Sequence, residues 1–385
     1  MPDWDEIGYP VLSCQSDGSF VVEKPAGTGG LVSVATVAEQ LLYEIGDPSA
    51  YLLPDVVCDF SGVTLTSVGP HQVAVTGARG RAPTSSYKVS ATYTQGFRCS
   101  AQLTIIGMEA VAKARRTAEA LLARTSRLLE AAGLENYSDH LIEILGAESC
   151  YGPHAQAGAL ATREAVLRLT VSHMHKEALT MFAREIAPAG TSWAPGTTGA
   201  GGRPSPSVMI RQCSFLLDKT ALTPTVLLDG VALPVNECQP LPVTSQVSPM
   251  RSESVPLQMS VQTALVWDDL QRTVPLIELA YARSGDKGDI SNIGVIARHP
   301  AYLPYLRAAL TPQTVKDWLA HLVKGQVTRY ELPGIDAMNF VCENALGGGG
   351  MSSLRNDPLG KGMAQILLAM PVRLPKNLHP RTSIQ

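Results

Sequence analysis

The sequence predicts a mixed α+β or α/β fold: an antiparallel or mixed sheet carrying two long helices, followed by a second, smaller α/β domain. Three observations predict it. Residues 71–107 ("HQVAVTGARG", "YKVSATYTQGFRCSAQLTIIG") alternate apolar and polar side chains and are rich in β-branched residues, which is the pattern of half-buried antiparallel strands. Residues 108–132 instead repeat apolar side chains every three or four positions, as a helix with one buried face does. The chain has 385 residues, more than one ordinary core, and the Pro- and Ser-rich stretch 240–258 with few charges reads as a linker between two cores.

Taken in order, "EKPAGTGGLVSVATVAEQLLYEIGDP" is a loop leading into a helix from Leu31 to Ile45, with Gly46 as its stop and Pro48 just beyond. Val34, Val37, Ala38, Leu41, Leu42 and Ile45 form its apolar stripe, which needs a surface to cover it. Strands follow to Gly107, broken at Gly80, Pro83 and Gly96. The helix 108–132 ends at Gly133; Ala114, Ala118, Leu121, Leu128 and Leu129 share one side, and its arginines with Lys113 form a solvated face or a basic binding surface. Residues 140–149 read as a strand, and 162–187 as the second long helix, with Thr162 as N-cap and Glu164 in its first turn. His173 and His175 then stand about 200° apart around that helix and cannot share one metal ion.

The glycines and prolines of 188–207 exclude regular structure and leave a surface loop or a lid. "SVMIRQCSFLL" and "PTVLLDGVALPV" are strand-like, the second turning at Asp229-Gly230. Beyond the linker, strand runs alternate with helices on either side of Thr311-Pro312 and with a short last helix, the set of a ferredoxin-like α/β sandwich. The divisions expected are 1–60 for the Gly-rich loop and first helix, 61–239 for the α+β domain, 240–272 for the linker, 273–373 for the small domain and 374–385 for a tail.

Bulk properties exclude several function classes. A formal net charge of −3 argues against nucleic-acid binding. The longest apolar runs, such as 363–372, are far shorter than the roughly 20 residues of a membrane span. The acidic start lacks a secretory signal. Seven scattered cysteines without a C-x-x-C pair point to reduced thiols in a cytoplasmic protein and to no metal site.

Four loops carry residues suited to chemistry. Lys24, Thr28, Gly29 and Gly30 of "KPAGTGG" form either an anion cradle at a helix start or a tight turn; no G-K-[ST] makes it a P-loop. In "ARSGDKGDISNIGVIAR" (282–298), Gly285 and Gly288 let the backbone fold back and gather Arg283, Asp286, Lys287 and Asp289. That cluster is either a site that orients or protonates substrate or a surface turn whose ion pairs are each worth roughly 0–1 kcal/mol. Cys150 and His154 share a loop and would make a thiol nucleophile only with the right geometry. The four glycines of 347–350 allow close approach of a ligand, with Ser352, Arg355 and Lys361 facing an anion, or simply connect to the last helix. No G-x-S-x-G, H-E-x-x-H or G-x-G-x-x-G pattern occurs.

"DEIGYPV", "KPAGTGGLVSVATVAEQLLYEIGDPSAYLLPDVV", "TGARGRAP", "KVSATY", "GAGGRPSPS" and "ARSGDKGDISNIGVIAR" together resemble the acyclic terpene utilisation protein A (AtuA-like) family, from near residue 1 to about 372. The resemblance implies a larger α/β domain followed by a small ferredoxin-like domain. It also implies a setting in breakdown of acyclic terpenoids such as citronellol and geraniol, and of branched acyl-CoA compounds beside biotin-dependent carboxylases. It implies no reaction. Family members carry roughly 200 further residues, a domain's worth, ahead of the point matching Asp3, so residues 1–60 are expected to be the remnant of a larger domain or to be completed by a separate chain. Ala26 stands where a second proline is usual.

The first functional expectation is an enzyme, or part of one, acting on a terpenoid or branched acyl-CoA or acid. Lys24, Thr28, Gly29 and Gly30 would contact an anion, and Arg283, Asp286, Lys287, Asp289 and Asn292 would supply polar catalysis. No cofactor is implied; a CoA thioester enters as substrate. The second is a non-catalytic assembly protein whose 31–45 stripe and small domain bind a partner such as a carboxylase subunit, or a second copy of the chain. The third is a Cys150/His154 thiol hydrolase or acyltransferase.

Overall fold

A computed structural model describes residues 3–199, 202–233, 235, 272–376 and 378. The expected linker, apart from Arg272, lies outside the described residues, as does most of the expected tail. Strands β1 (Val11–Cys14) and β2 (Phe20–Glu23) precede helix α1 (Val34–Leu41). The helix is shorter than 31–45. It starts where Ser33 accepts from the Thr36 amide while the Thr36 hydroxyl accepts from the Ser33 amide, a reciprocal cap. It ends at Leu42 because Glu44 turns left-handed, φ 58°.

After α1 come β3 (Tyr51–Leu52), β4 (Val57–Asp59), β5 (Thr64–Gly69), β6 (Gln72–Thr76) and β7 (Arg79–Arg81). Strands β1-β2-β6-β5 form one antiparallel sheet, so strands on either side of residue 60 pair with one another. The β3-β4-β7 sheet lies beside it in sequence.

Strand β8 (Ser86–Ile106) runs 21 residues without the expected break at Gly96. Gly96 keeps the strand intact and lets it cross another chain segment: with φ +72°, a Cβ there would sit 2.8 Å from the His173 carbonyl oxygen. Helix α2 (Ala110–Ala131) and strand β9 (Asp139–Leu145) follow, then α3 (Ala157–Leu160).

The second long helix requires correction. Glu164–His173 is a strand, β10, and only Lys176–Ser192 is helical, α4. Ala165, Leu167 and Leu169 are buried in alternation, the period of a strand, and from Leu169 to His173 every residue is buried. His173 thus ends a strand and His175 caps a helix, so the helical-spacing argument about this pair does not apply; the His173 ring accepts from the His175 amide at 2.9 Å. Regular structure also enters 188–207: α4 continues through Pro188 to Ser192, and β11 (Thr197–Gly199) adds to the sheet. The order is β11-β8-β10-β9, with β12 (Ser207–Asp218) along the first half of β8. Strands β13 (Val226–Leu228) and β14 (Val231–Leu233) form a hairpin, with positive φ at Asp229 and Gly230 as its tight turn requires. Helices α2 and α4 cover one face of the larger sheet, where Ala110, Ala114, Ala118 and Leu121 pack with Leu179, Phe182 and Ile186.

The C-terminal part comprises β15 (Arg272–Pro275), β16 (Ala280–Lys287), β17 (Ile290–Ala297), α5 (Leu303–Ala309), α6 (Pro312–Trp318), β18 (Val327–Leu332), β19 (Ala337–Cys342), α7 (Met363–Leu368) and β20 (Pro371–Leu374). The antiparallel sheet runs β16-β17-β19-β18, and β15 pairs with β20. Read from β17, the order is strand, helices, strand, strand, helix, the ferredoxin-like sequence; the remaining edge is filled by β16, which comes first in the chain instead of last. Ile293, Val295, Met338 and Phe340 face α5, α6 and α7 across a core with Leu306, Val315 and Leu367.

The opposite face of that sheet is covered by α1. Ala38 and Leu42 pack against Ile296, Leu332 and Ala337, while Val37 and Leu41 turn toward Val22, Val63 and Val75 of the N-terminal sheet. The stripe is therefore satisfied within the chain, as a layer between two sheets.

Candidate functional site

The charged stretch 283–289 sits at this joint. β16 runs through it to Lys287, and the turn falls at Gly288 (φ +67°) and Asp289. Gly285 and Gly294 lie on the face met by α1: a Cβ on Gly285 would stand 2.6 Å from Glu44 Cγ, and one on Gly294 2.6 Å from Leu42 Cβ. Both glycines are there for close packing.

The side chains clamp the end of α1. Arg283 lies over the Tyr43 ring, 4.1 Å from its centroid, and donates to Gln40 Oε1 at 2.9 Å. Lys287 Nζ reaches Glu44 Oε2 at 2.9 Å, and Lys361 Nζ reaches Glu44 Oε1 at 2.9 Å, Asp286 Oδ1 at 3.1 Å and the Tyr43 hydroxyl. Burial alone would raise the Glu44 carboxyl, but hydrogen bonds from Lys287, Lys361 and Tyr43 outweigh it and hold it at about 2. Buried Asn292 accepts from the Glu44 amide at 2.9 Å and donates to Leu42 O at 2.7 Å and Asn339 Oδ1 at 3.0 Å. Asp289 Oδ1 accepts from the Leu346 and Gly348 amides, both at 2.9 Å, and so anchors the glycine loop. None of Arg283, Asp286, Lys287, Asp289 or Asn292 lines the cavities of about 640, 550 and 240 Å³.

The loop 24–30 is folded on itself. Lys24 Nζ donates to the carbonyls of Thr28 and Gly29, Thr28 Oγ1 donates to Pro25 O at 2.8 Å, and the Gly29 amide donates to Glu6 O at 3.0 Å. A Cβ on Gly29 would collide with the Asp3 carbonyl. The adjoining helix start is capped by Ser33, so Gly29 and Gly30 stand ahead of it and not on it. The loop lies before α1 and the charged cluster at its far end; the helix, about 12 Å long at 1.5 Å per residue, keeps them apart.

Cys150 and His154 do not pair. The His154 ring stacks on Trp318 at 3.6 Å between centroids, and its Nε2 lies 2.7 Å from Trp318 O. Cys150 faces a different cavity, and burial, then Glu143 and Asp357, push its thiol up, so it stays protonated.

A cavity of about 550 Å³ with a largely polar lining lies between the larger sheet and the glycine loop of the ferredoxin-like part. Gly347, Gly348 and Gly349 have φ of 65°, 96° and 88°, a run of left-handed conformations that side chains would strain. Arginines of the larger sheet hold the loop: Arg98 donates to Ser353 O at 2.5 Å, and Arg168 to Leu354 O at 2.6 Å and Glu143 at 2.5 Å. Ser352, Arg355, Arg211, Ser138 and His140 line the space. Arg211 Nε is enclosed and has no hydrogen-bond partner. Ser352 and Arg355 are the sequence-predicted partners of the glycine loop; Lys361, named with them, belongs to the α1 clamp. Arg211 and His140 carried no sequence signal, since each lies in a strand whose pattern reports only exposure.

Fold and site define a two-part α+β protein whose small sandwich closes a polar cavity against a larger sheet. The chain belongs to the acyclic terpene utilisation family: residues 1–228 match the model of acyclic terpene utilisation family protein AtuA, and residues 274–373 match the AtuA ferredoxin-like domain. No curated protein and no solved structure matches the sequence. Among the described residues, no helix is long and apolar enough to cross a membrane, and no cluster of three His, Cys, Asp or Glu side chains is arranged to hold a metal ion.

Proposed function

We propose that the protein acts in acyclic terpene breakdown by binding a terpenoid or branched-chain acid, or its CoA thioester, in the interdomain cavity. Arg211 receives the carboxylate or thioester oxygen there; Arg355, bound to the Ala345 and Leu322 carbonyls, and Ser352, whose hydroxyl donates to Gly348 O, hold the glycine loop beside it. The observation that carries this reading is the enclosed Arg211 Nε without a partner beside the glycine loop. A buried donor of a charged group left unpaired is costly, and an anionic oxygen is the partner it suits. In this reading Arg283, Asp286, Lys287, Asp289 and Asn292 position α1 and the glycine loop, and Lys24 to Gly30 shape a turn; none of them touches substrate.

Calorimetry with citronellate and its CoA thioester tests the proposal. Arg211→Ala is expected to weaken binding at least tenfold, from roughly 1.5–3 kcal/mol for a hydrogen bond to a charged group, while Lys287→Ala leaves affinity unchanged. Equal affinity of wild type and Arg211→Ala would overturn it.

Self-association is a second reading, supported by an exposed apolar arm. Among the described residues the first half of β8 pairs only with β12, and this ribbon presents Tyr93, Phe215 and Leu216, with the β13–β14 hairpin adding Leu227, Leu228 and Val231. Such a patch with open strand edges suits a second copy of the chain. Light scattering of Leu216→Lys decides: an oligomer that becomes monomeric supports this reading, and a wild-type monomer dismisses it.

A further inference from the structure

A smaller cavity, about 240 Å³, adjoins the interdomain one, and Leu141 and Arg355 line both. Ile142, Leu322, Leu346, Met363 and Ile366 make its wall mostly apolar. Nearly every polar group on that wall is already engaged. The Ser149 hydroxyl accepts from the Ile144 amide and donates to the Ile144 carbonyl. Glu143 holds Arg168 and the Asn356 amide, and Asp357 accepts from the Lys361 and Gly362 amides. Arg355 donates to the Ala345 and Leu322 carbonyls.

Apart from the protonated Cys150 thiol, a weak donor, the exception is His321 Nδ1, which is enclosed and has no partner. His321 Nε2 lies 3.0 Å from the Cys150 carbonyl oxygen. A carbonyl only accepts, so Nε2 carries the proton and Nδ1 presents a bare lone pair. Burial, with the cations Arg355 and Lys324 nearby, holds the ring below the usual histidine range, which keeps it neutral. The ring's seat is built for it: Gly152 has φ +57°, and a Cβ there would come within 2.5 Å of the imidazole. A buried acceptor without a donor costs about 1–3 kcal/mol, and a hydroxyl proton is the complement this atom lacks.

We propose that this cavity is a subsite for a small branched aliphatic group bearing a neutral hydroxyl, which donates its hydrogen bond to His321 Nδ1. At about 240 Å³ the cavity has room for one branched unit of a terpenoid chain. The proposal rests on the reading above in that one substrate spans both cavities past Arg355, its acid end on Arg211 and its hydroxylated branch on His321. Binding of the hydroxyl group itself does not require Arg211.

Isoamyl alcohol and isopentane, equal in carbon skeleton and differing by the hydroxyl, are the probes. In protein carrying ring-nitrogen-labelled histidine, the His321 Nδ1 resonance is expected to shift on adding the alcohol and not the hydrocarbon. His321→Phe is expected to weaken alcohol binding at least tenfold, and Arg211→Ala to leave it unchanged while losing citronellate. An unmoved Nδ1 resonance, or equal affinity for alcohol and hydrocarbon, overturns the subsite and marks the cavity as holding water only. Should His321→Phe not fold, the wild-type resonance decides alone. Unchanged citronellate binding in Arg211→Ala with a retained alcohol response counts against the interdomain reading alone, and lost citronellate binding in Arg211→Ala with no wild-type alcohol response counts against the subsite alone.

Discussion

Replacing Glu44 with glutamine should loosen the joint between α1 and the C-terminal sheet, by an amount that depends on pH in a calculable way. The carboxylate receives Lys287 and Lys361, each at 2.9 Å, and titrates at about 2 in place of 4.5. At 1.36 kcal/mol per pH unit, that difference corresponds to about 3 kcal/mol favouring the folded, ionised form. The side chains of Lys287 and Lys361 are 50 % and 41 % exposed, and solvent screening reduces the expected contribution to about 1–2 kcal/mol. Because the folded value is depressed, the stabilisation is complete above 4.5 and is lost as pH falls from 4.5 toward 2. Urea unfolding followed by tryptophan fluorescence reads this directly. Wild type should exceed Glu44→Gln by about 1–2 kcal/mol at neutral pH, with the gap closing near the acid limit. A gap of the same size at both pH values, or none at neutral pH, would refute the electrostatic account of the clamp.

Three further outcomes follow from the same geometry. Asn292→Ala removes three hydrogen bonds at once, two of them buried, and should cost about 3 kcal/mol, measured as a lower urea midpoint with unchanged secondary structure. Gly294→Val drives a side chain into Leu42 and should cost about 1–3 kcal/mol; greater protease sensitivity between α1 and the sheet would register the displacement, and wild-type stability would contradict it. Exposed Cys14 and Cys213 should react with iodoacetamide well before Cys150, whose thiol is kept protonated. Peptide mapping that finds Cys150 labelled first would restore it as a nucleophile.

Much of this arrangement was readable where it depends on neighbours in sequence. Helix α2 follows from the spacing of Ala114, Ala118 and Leu121, and the β13–β14 turn from Asp229-Gly230. The stretch 162–187 was misread because the alternation of Ala165, Leu167, Leu169 and Val171 runs without a break into the three-and-four spacing of Leu179, Phe182 and Ile186, and one period was extended over the other. The glycines of 283–294 looked like turn formers or site builders, yet two of them are small because α1 lies on them, a contact some 250 positions away that no local pattern encodes. The glycine loop marks Ser352 and Arg355 in the sequence, whereas the unpaired nitrogens of Arg211 and His321 follow from tertiary packing that no local pattern encodes.

The distance along the chain between α1 and the sheet that covers it has a consequence for biosynthesis. Glu44 and Asn292 are separated by 248 positions, so at about 5–20 residues per second the ribosome needs on the order of 12–50 s to deliver the covering strands after the helix has been made. During that interval Ala38 and Leu42 have no roof, and the nascent N-terminal segment is a natural client for chaperones that shield apolar surface until translation ends.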